Sequence, residues 1–364
     1  MKKHVFNLYP VANQDDLRIS YRLVEVDGEL GVSSDDPDLA VRNLNLLAKK
    51  VAFGQELAVA IIRGGDKPLL AIAADHPIEP SEYQLTPHVV SLQPQDEVHS
   101  VTLSNLDEVT RPIALSFLGW ELRGHLYKRK DLWRRTSNTF LRKRPVNVDG
   151  LRRDFDVYGG FSPRFVFVNG LLHVAVPVVY CYTDSRWADE AFDNREIQRL
   201  AGRRMLYHFG PQLYPVKFQK RTGKTLRMQQ FCPEGTNTIA NVYDWTVEKL
   251  GQAPTGRQLD PDSPAIQYRN VGNQEERYGA LSLCKLMLSN DDPRVARSRR
   301  EYQRNPKQRI ESANGIVKTI VTGLSLSGTV LKFDTGPRHA AAKHFDYPEI
   351  RWQWPGNACE QSAH

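Results

Sequence analysis

The sequence is poor in cysteine and has no run of residues long and apolar enough to span a bilayer. Of its 364 residues only four are cysteine, Cys181, Cys232, Cys284 and Cys359, far apart and without a C-x-x-C pair. That spacing argues against a zinc ribbon or a disulfide framework and fits a reducing, cytoplasmic setting, with isolated thiols expected in the interior. A membrane span needs roughly 18 consecutive apolar residues. Even Leu171–Tyr182 is interrupted, by His173 and Pro177. Lys2 and Lys3 resemble a signal-peptide start, but Asn7, Pro10, Asn13 and Asp15 leave no apolar segment behind them.

The motifs of common chemistry are missing as well. There is no H-E-x-x-H, no metal-spaced Cys/His set, no G-x-S-x-G and no G-x-x-x-x-G-K-[ST]. The run from Gly323 to Gly328 has the wrong spacing for a nucleophile elbow, and Thr222-Gly-Lys-Thr225 reads as a hairpin turn. The carboxylate pairs Asp154/Asp156 and Asp260/Asp262 have no lysine or third acid associated with them. No catalytic residue, metal site or cofactor is expected, and no internal repeat or low-complexity tract is present.

Charge is present in quantity and unevenly placed. Residues 1–120 hold 10 basic and 17 acidic side chains, a net of −7, whereas 121–364 hold 39 and 25, a net of +14. A basic region of this size suits a polyanion. Its densest part, 121–153, has 11 Lys and Arg against Glu121, Asp131 and Asp149, with Trp133 and Phe140 interleaved. Between Arg195 and Arg227 nine basic residues meet one acid, Glu196, among Tyr207, His208, Phe209, Tyr214 and Phe218. Cations neutralise phosphates and aromatic faces stack on unpaired bases, the usual pairing for single-stranded nucleic acid. Rings alternating along a strand also build a core, so both readings stand at this point.

Periodicity gives an α+β chain. Arg18–Val26 alternates as a strand, with Ile19, Tyr21 and Leu23 on one face. Asp36-Pro37 opens a helix with Leu39, Leu44, Leu47 and Val51 as its stripe and Gly54 at its C-terminal cap. Leu57–Ile62 and Leu69–Ala74 form a hairpin, and Ile113–Leu126 a second helix through Ala114, Phe117, Leu118 and Leu122. Asn169-Gly170 is the strongest hairpin signal. Asp189–Leu200 and Val242–Leu250 read as short helices, and Arg294, Arg297, Arg300 and Arg304 would line one side of a helix.

Several short motifs follow one another along the chain: Gly202-Arg-Arg-Met-Leu-Tyr-His-Phe209, Tyr214-Pro-Val-Lys-Phe218, Phe231, Val242-Tyr-Asp-Trp245, Pro264-Ala-Ile-Gln-Tyr268 and Tyr278-Gly-Ala-Leu-Ser-Leu-Cys284. Their order resembles that of the PAZ domain of Argonaute proteins. The flanks are similar to the family's N-terminal domain (Leu115–Lys130, Trp133–Phe140), first linker (Tyr158-Gly-Gly-Phe-Ser162) and second linker (Arg294–Val321, Gly323–Lys332, Pro348–Pro355).

The resemblance implies a multidomain Argonaute N-lobe: an N-like domain over 1–132, a first linker over 133–188, a shortened PAZ-like, OB-like small β-barrel over 189–288, and a second linker over 289–364. It carries the guide 3′-end pocket to His208 or Phe209, Tyr214, Phe231 and Trp245, with Lys217, Lys220 and Arg221 on the phosphate. Backbone contacts fall to Arg123, Lys128, Arg129, Arg134, Arg135, Arg142, Lys143, Arg144, Arg294, Arg297, Arg300 and Arg304. The stretch Asp184–Ala201 is shorter than in the family, as in the PAZ-analogue partners of short Argonautes, and no MID or PIWI segment follows. The expectation is a non-catalytic subunit of a split Argonaute, binding guide and target nucleic acid beside a separate MID–PIWI protein, with the acidic N-like domain distal. A stand-alone single-stranded nucleic-acid-binding module is the alternative, and an unrecognised nuclease a more remote one.

Overall fold

A helix buried on several sides organises the molecule. The computed structural model describes residues 3–341 except 6, 32–38, 63–67, 75–77, 79–80, 86–87, 147–154, 210–211, 234–237, 251–258, 272–275, 290, 297–305 and 335–338. Within them Thr110–Tyr127 is an 18-residue helix that buries Ile113, Ala114, Phe117, Leu118, Leu122 and Leu126. These are the residues its 3.6-residue period selects. The side chain of Asp107 accepts hydrogen bonds from the Val109 and Thr110 backbone and closes the first turn.

On one side lies an antiparallel sheet in the order Val59–Ile62, Leu69–Ala73, Arg18–Asp27, His88–Thr102, Ser81–Leu85. Ile19 and Tyr21 face the Thr110–Tyr127 helix, as the alternation requires. The opposite face of the same strand is apolar only at Val24 and Val26, where the helix Leu39–Gln55 covers it with Leu47 and Val51. Gly54 is not that helix's cap. The helix continues past it, and Glu56 takes the left-handed position at φ 54°.

A second layer closes the other side. Arg164–Val168 and Leu171–Ala175 pair across Asn169 and Gly170, both with positive φ (51° and 77°), the geometry of a two-residue type I′ turn. Leu8–Pro10 joins this sheet beside Leu171–Ala175. The helix Pro306–Ile316, continued by a wide π turn over Val317–Val321, packs beside them. His125 Nε2 lies 2.7 Å from the Ile320 carbonyl, and Tyr9 donates to Asn314 at 2.6 Å. Residues from Tyr9 to Leu331 therefore share one core.

Downstream of the helix, Leu132–Thr136, Thr139–Arg142, Phe155–Phe161 and Val178–Asp184 form a four-stranded sheet. A curved five-stranded sheet follows, ordered Glu276–Ala280, Pro264–Asn270, Gln212–Thr225, Arg204–Phe209, Cys284–Leu286. Ala188–Ala191, Asn194–Arg199 (closed by an Asp193/Glu196 capping box) and Val242–Leu250 are its helices. The expected turn at Thr222-Gly223 is instead an irregularity inside one 14-residue strand, where the Thr222 hydroxyl donates to the Ala265 carbonyl at 3.0 Å. Cys181 and Cys284 are buried, but Cys232 is exposed, contrary to expectation. No helix among the described residues is long and apolar enough to cross a membrane.

Gly160 sets the approach of two strands in the four-stranded sheet. A Cβ there would stand 2.1 Å from the Phe140 carbonyl oxygen and 2.7 Å from Leu141 Cα, both backbone atoms. Gly160→Ala is expected to destabilise the chain by about 3 kcal/mol in chemical denaturation, the upper range of overpacking. Gly159→Ala, whose nearest contact is the Val146 side chain at 3.3 Å, should change stability far less.

Candidate nucleic-acid interface

The Thr110–Tyr127 helix ends where the basic run begins, and its exit places that run against the five-stranded sheet. The resulting groove, about 830 Å³, is lined on one side by residues 126–130, 132–137 and Phe140 and on the other by Gln212, Leu213, Tyr214, Pro215, Asn270 and Val271. Six cations line it, namely Lys49, Lys128, Arg129, Lys130, Arg134 and Arg135, and no acidic residue does. Three of them are restrained by neighbours. Arg129 forms a bidentate pair with Asp131 (2.9 and 3.1 Å) and donates to the Thr319 carbonyl. Arg134 lies 5.2 Å over the Tyr127 ring and donates to its hydroxyl. Arg135 donates to the Tyr180 carbonyl at 3.3 Å. Lys49, Lys128 and Lys130 are exposed and form no ion pair among the described residues.

The expected backbone-contact residues thus divide. Lys128, Arg129, Arg134 and Arg135 line the groove together. Arg123 lines a separate hollow of about 530 Å³ with Trp120, Glu56 and Glu121, and burial lowers its pKa. Arg142 ends the strand Thr139–Arg142 and Lys143 and Arg144 follow it, all outside the groove lining. Arg294 is tied internally: it bonds Asp292 at 3.0 Å and the buried Asp184 at 3.2 Å, and these partners hold its guanidinium above its ordinary value. Arg297, Arg300 and Arg304 lie outside the described residues.

The aromatic residues also divide. Phe209, Phe231 and Trp245 come together: Phe209 stacks on Trp245 at 5.2 Å and Phe231 meets Trp245 edge-on at 5.4 Å. Phe231 and Trp245 line a cleft of about 790 Å³ together with Lys249, Tyr268, Arg277 and Tyr278 and the acids Glu248 and Glu276, with Phe209 stacked behind Trp245. Beneath it Tyr207 and Tyr268 approach to 5.2 Å over Gly279, where a Cβ would meet the Tyr207 hydroxyl at 2.7 Å. Burial raises the pKa of both phenols. Tyr214 lines the basic groove, 41% exposed, and its pKa is raised by burial and lowered by Arg277. Lys217, Lys220 and Arg221 are on the same strand as Tyr214 but border neither wall of the cleft, and the latter two line another hollow with Thr222 and Lys224.

Lys49, Lys130, Lys249, Tyr268, Arg277 and Tyr278 line these sites without being among the expected site residues. Lys49 comes from the acidic N-terminal third, so that region is not wholly distal to the groove. Nothing in its local sequence marks it. Tyr268 and Tyr278 stand in the quoted motifs, and Arg277 precedes the last of them, so their neighbourhood was readable although their roles were not.

His208 is separated from the cleft by strand alternation. Its ring meets Trp187 edge-on at 4.9 Å, and its Nε2 is buried without a hydrogen-bond partner. Burial first, and the Lys285 charge second, lower its pKa to about 4. Lys285 itself lies 5.0 Å over Trp187 and pairs with Asp156 at 2.6 Å. A histidine whose folded pKa is depressed keeps its stabilising contribution above the unfolded value of about 6.5 and loses it as pH falls toward 4. The unfolding free energy of the wild type should therefore drop between pH 6.5 and 4.5 by about 2 kcal/mol more than that of His208→Gln. Parallel pH profiles for the two proteins would show that this site does not titrate as described.

The chain matches no protein-family model and no curated protein sequence. Its fold does match solved structures. Drosophila Piwi aligns with a TM-score of 0.50 over 93% of this chain and 43% of its own, at 10% identity. Clostridium butyricum Argonaute, solved with a guide DNA and a 19-mer target DNA, aligns with a TM-score of 0.50 over 91% of this chain and 44% of its own, at 9% identity. The chain thus spans less than half the length of either protein. Likeness at such identity is one of architecture, and the architecture described above is an Argonaute-like α+β fold.

Proposed function

We propose that this chain is a non-catalytic, nucleic-acid-binding lobe of a split Argonaute, working in guided silencing or defence beside a separate MID–PIWI polypeptide. In this reading residues 1–132 are an N-like domain, 133–188 a first linker, 189–288 a shortened PAZ-like unit built on the curved, OB-like sheet, and 289–364 a second linker. The basic groove receives the phosphate backbone of guide or target strand. The aromatic cleft around Phe209, Phe231 and Trp245 receives the guide 3′ end.

The observation that carries the reading is the groove: six cations and no acid on its walls, with Tyr214 at its edge. Of the six only Arg129 has a carboxylate partner, Asp131, among the described residues; the remaining like charges repel one another, and a polyanion relieves that repulsion while releasing its own condensed cations. The Argonaute-like fold supports the same direction.

Lys128 and Lys130 are the cleanest residues to remove, because both are exposed and hold nothing else in place. Fluorescence anisotropy with a labelled single-stranded oligonucleotide should give a log K against log salt slope of about −0.7 per phosphate contact. Lys128→Ser/Lys130→Ser should reduce the magnitude of that slope by about 1.4 and weaken binding at low salt. An unchanged slope would contradict the groove. Co-elution with a MID–PIWI protein separates the split-Argonaute reading from that of a stand-alone binding module, which would bind nucleic acid but not the protein.

A further inference from the structure

We infer that the nucleic-acid track does not end at the groove but continues along the five-stranded sheet, over the exposed part of the face whose Leu206 and Leu213 pack on the four-stranded sheet, along a cross-strand row of cations formed by Arg204, Lys217 and Arg269. This rests on the groove being a phosphate site. It adds a surface that neither the expected 3′-end pocket nor the groove lining includes.

The row follows from the register. Arg204 stands opposite Lys217, Lys217 opposite Arg269, and Arg269 opposite Glu276, so three adjacent strands carry like charges side by side. Directly opposed like charges destabilise a sheet. Only the last member is relieved, by the Arg269–Glu276 pair at 2.9 Å. Arg204 and Lys217 are exposed and have no ion-pair partner among the described residues. Such a row is disfavoured in the free protein and favoured once an anion lies across it.

Its position continues the groove. Pro215 and Val271, which line the groove, lie two residues from Lys217 and Arg269 on the same strand face. Two residues along a strand amount to about 6.6 Å. On the far side of the row the register shifts: Phe218 faces Tyr268, but Lys220 faces Gln267, leaving Gln219 as an extra residue. In a regular strand Lys217 and Lys220 would point to opposite faces. The bulge keeps Phe218 fully buried while both lysines turn outward, which is how bulges re-aim side chains. Lys220 then opens onto the hollow of about 780 Å³ that it shares with Arg221 and Lys224. The strand Gln212–Thr225 thus carries one cationic path from Pro215 to Lys224, roughly 30 Å in length.

The partner that fits a path of this length and chemistry is the sugar-phosphate backbone of a nucleic-acid strand. The test uses the full chain and two single-stranded oligonucleotides, one of about 5 nucleotides that fills the groove and one of about 15 that also reaches the row. Arg204→Ser/Lys217→Ser is expected to bind the short oligonucleotide as the wild type does. Its affinity for the long one should fall about tenfold or more at low salt, with the salt slope smaller by about 1.4. Its thermal midpoint should rise by about 1–3 °C, because opposed like charges are removed. Unchanged affinity for the long oligonucleotide would overturn the extended track. Equal loss for both lengths would also overturn it, since the row would then act through the groove rather than beyond it. A lowered thermal midpoint would show that the row is held by contacts within the protein and is not a waiting anion site. If the wild type bound neither length, the groove reading itself would fail, an outcome distinct from the others.

Discussion

The burial of one helix on several sides fixes where this protein can present charge. Thr110–Tyr127 is covered by strands from the N-terminal sheet, by the Asn169-Gly170 hairpin and by the helix that begins at Pro306. A helix so enclosed has no freedom to rotate, because each of its apolar side chains already fills a neighbour's space. The residues that leave it, Lys128 to Arg135, inherit that rigidity. Their cations converge on one end of the central strands of the five-stranded sheet because the helix axis and the buried Leu132 and Trp133 aim them there. The cationic groove is thus built on an apolar core.

The two sheets flanking the groove are joined as firmly as the helix is held. Lys285 reaches across to Asp156, Arg294 to Asp184, and the Leu288 amide to the Tyr182 carbonyl. Leu206 and Leu213 of one sheet meet Trp133, Leu141 and Tyr158 of the other in a small shared core. Mostly buried ion pairs of this kind contribute to orientation more than to net stability, since desolvation offsets much of their attraction. Here they fix the distance between the groove's two walls. Arg294 illustrates how a residue in a basic run can be structural: its charge answers a carboxylate that is only 3% exposed.

Much of the fold was legible in the sequence where period and turn chemistry agree. The Thr110–Tyr127 stripe, the Asn169-Gly170 turn and the Val242–Leu250 helix depend on local spacing, and local spacing is what a sequence displays. Gly54 and Thr222-Gly223 misled for the same reason: glycine permits a cap or a turn without requiring one, and the surrounding packing chose Glu56 and a bulge instead. The site was legible in composition and less so in arrangement. Phe209, Phe231 and Trp245 do meet, and four of the twelve expected backbone-contact cations line one groove. Lys49 was invisible, because an acidic region brings it there only through tertiary folding. The parting of Tyr214 from the aromatic cluster was equally hidden, since strand register decides it.

The central claim is that phosphates lie between residues 126–137 and the strand Gln212–Thr225. Photo-crosslinking of the intact chain to a single-stranded oligonucleotide with photoreactive groups along its backbone, followed by peptide mapping, tests it most directly. The account predicts crosslinks concentrated in those two segments and suppressed by moderate salt. Crosslinks concentrated instead on the acidic sheet that contains His88–Thr102, or spread evenly over the surface, would contradict it.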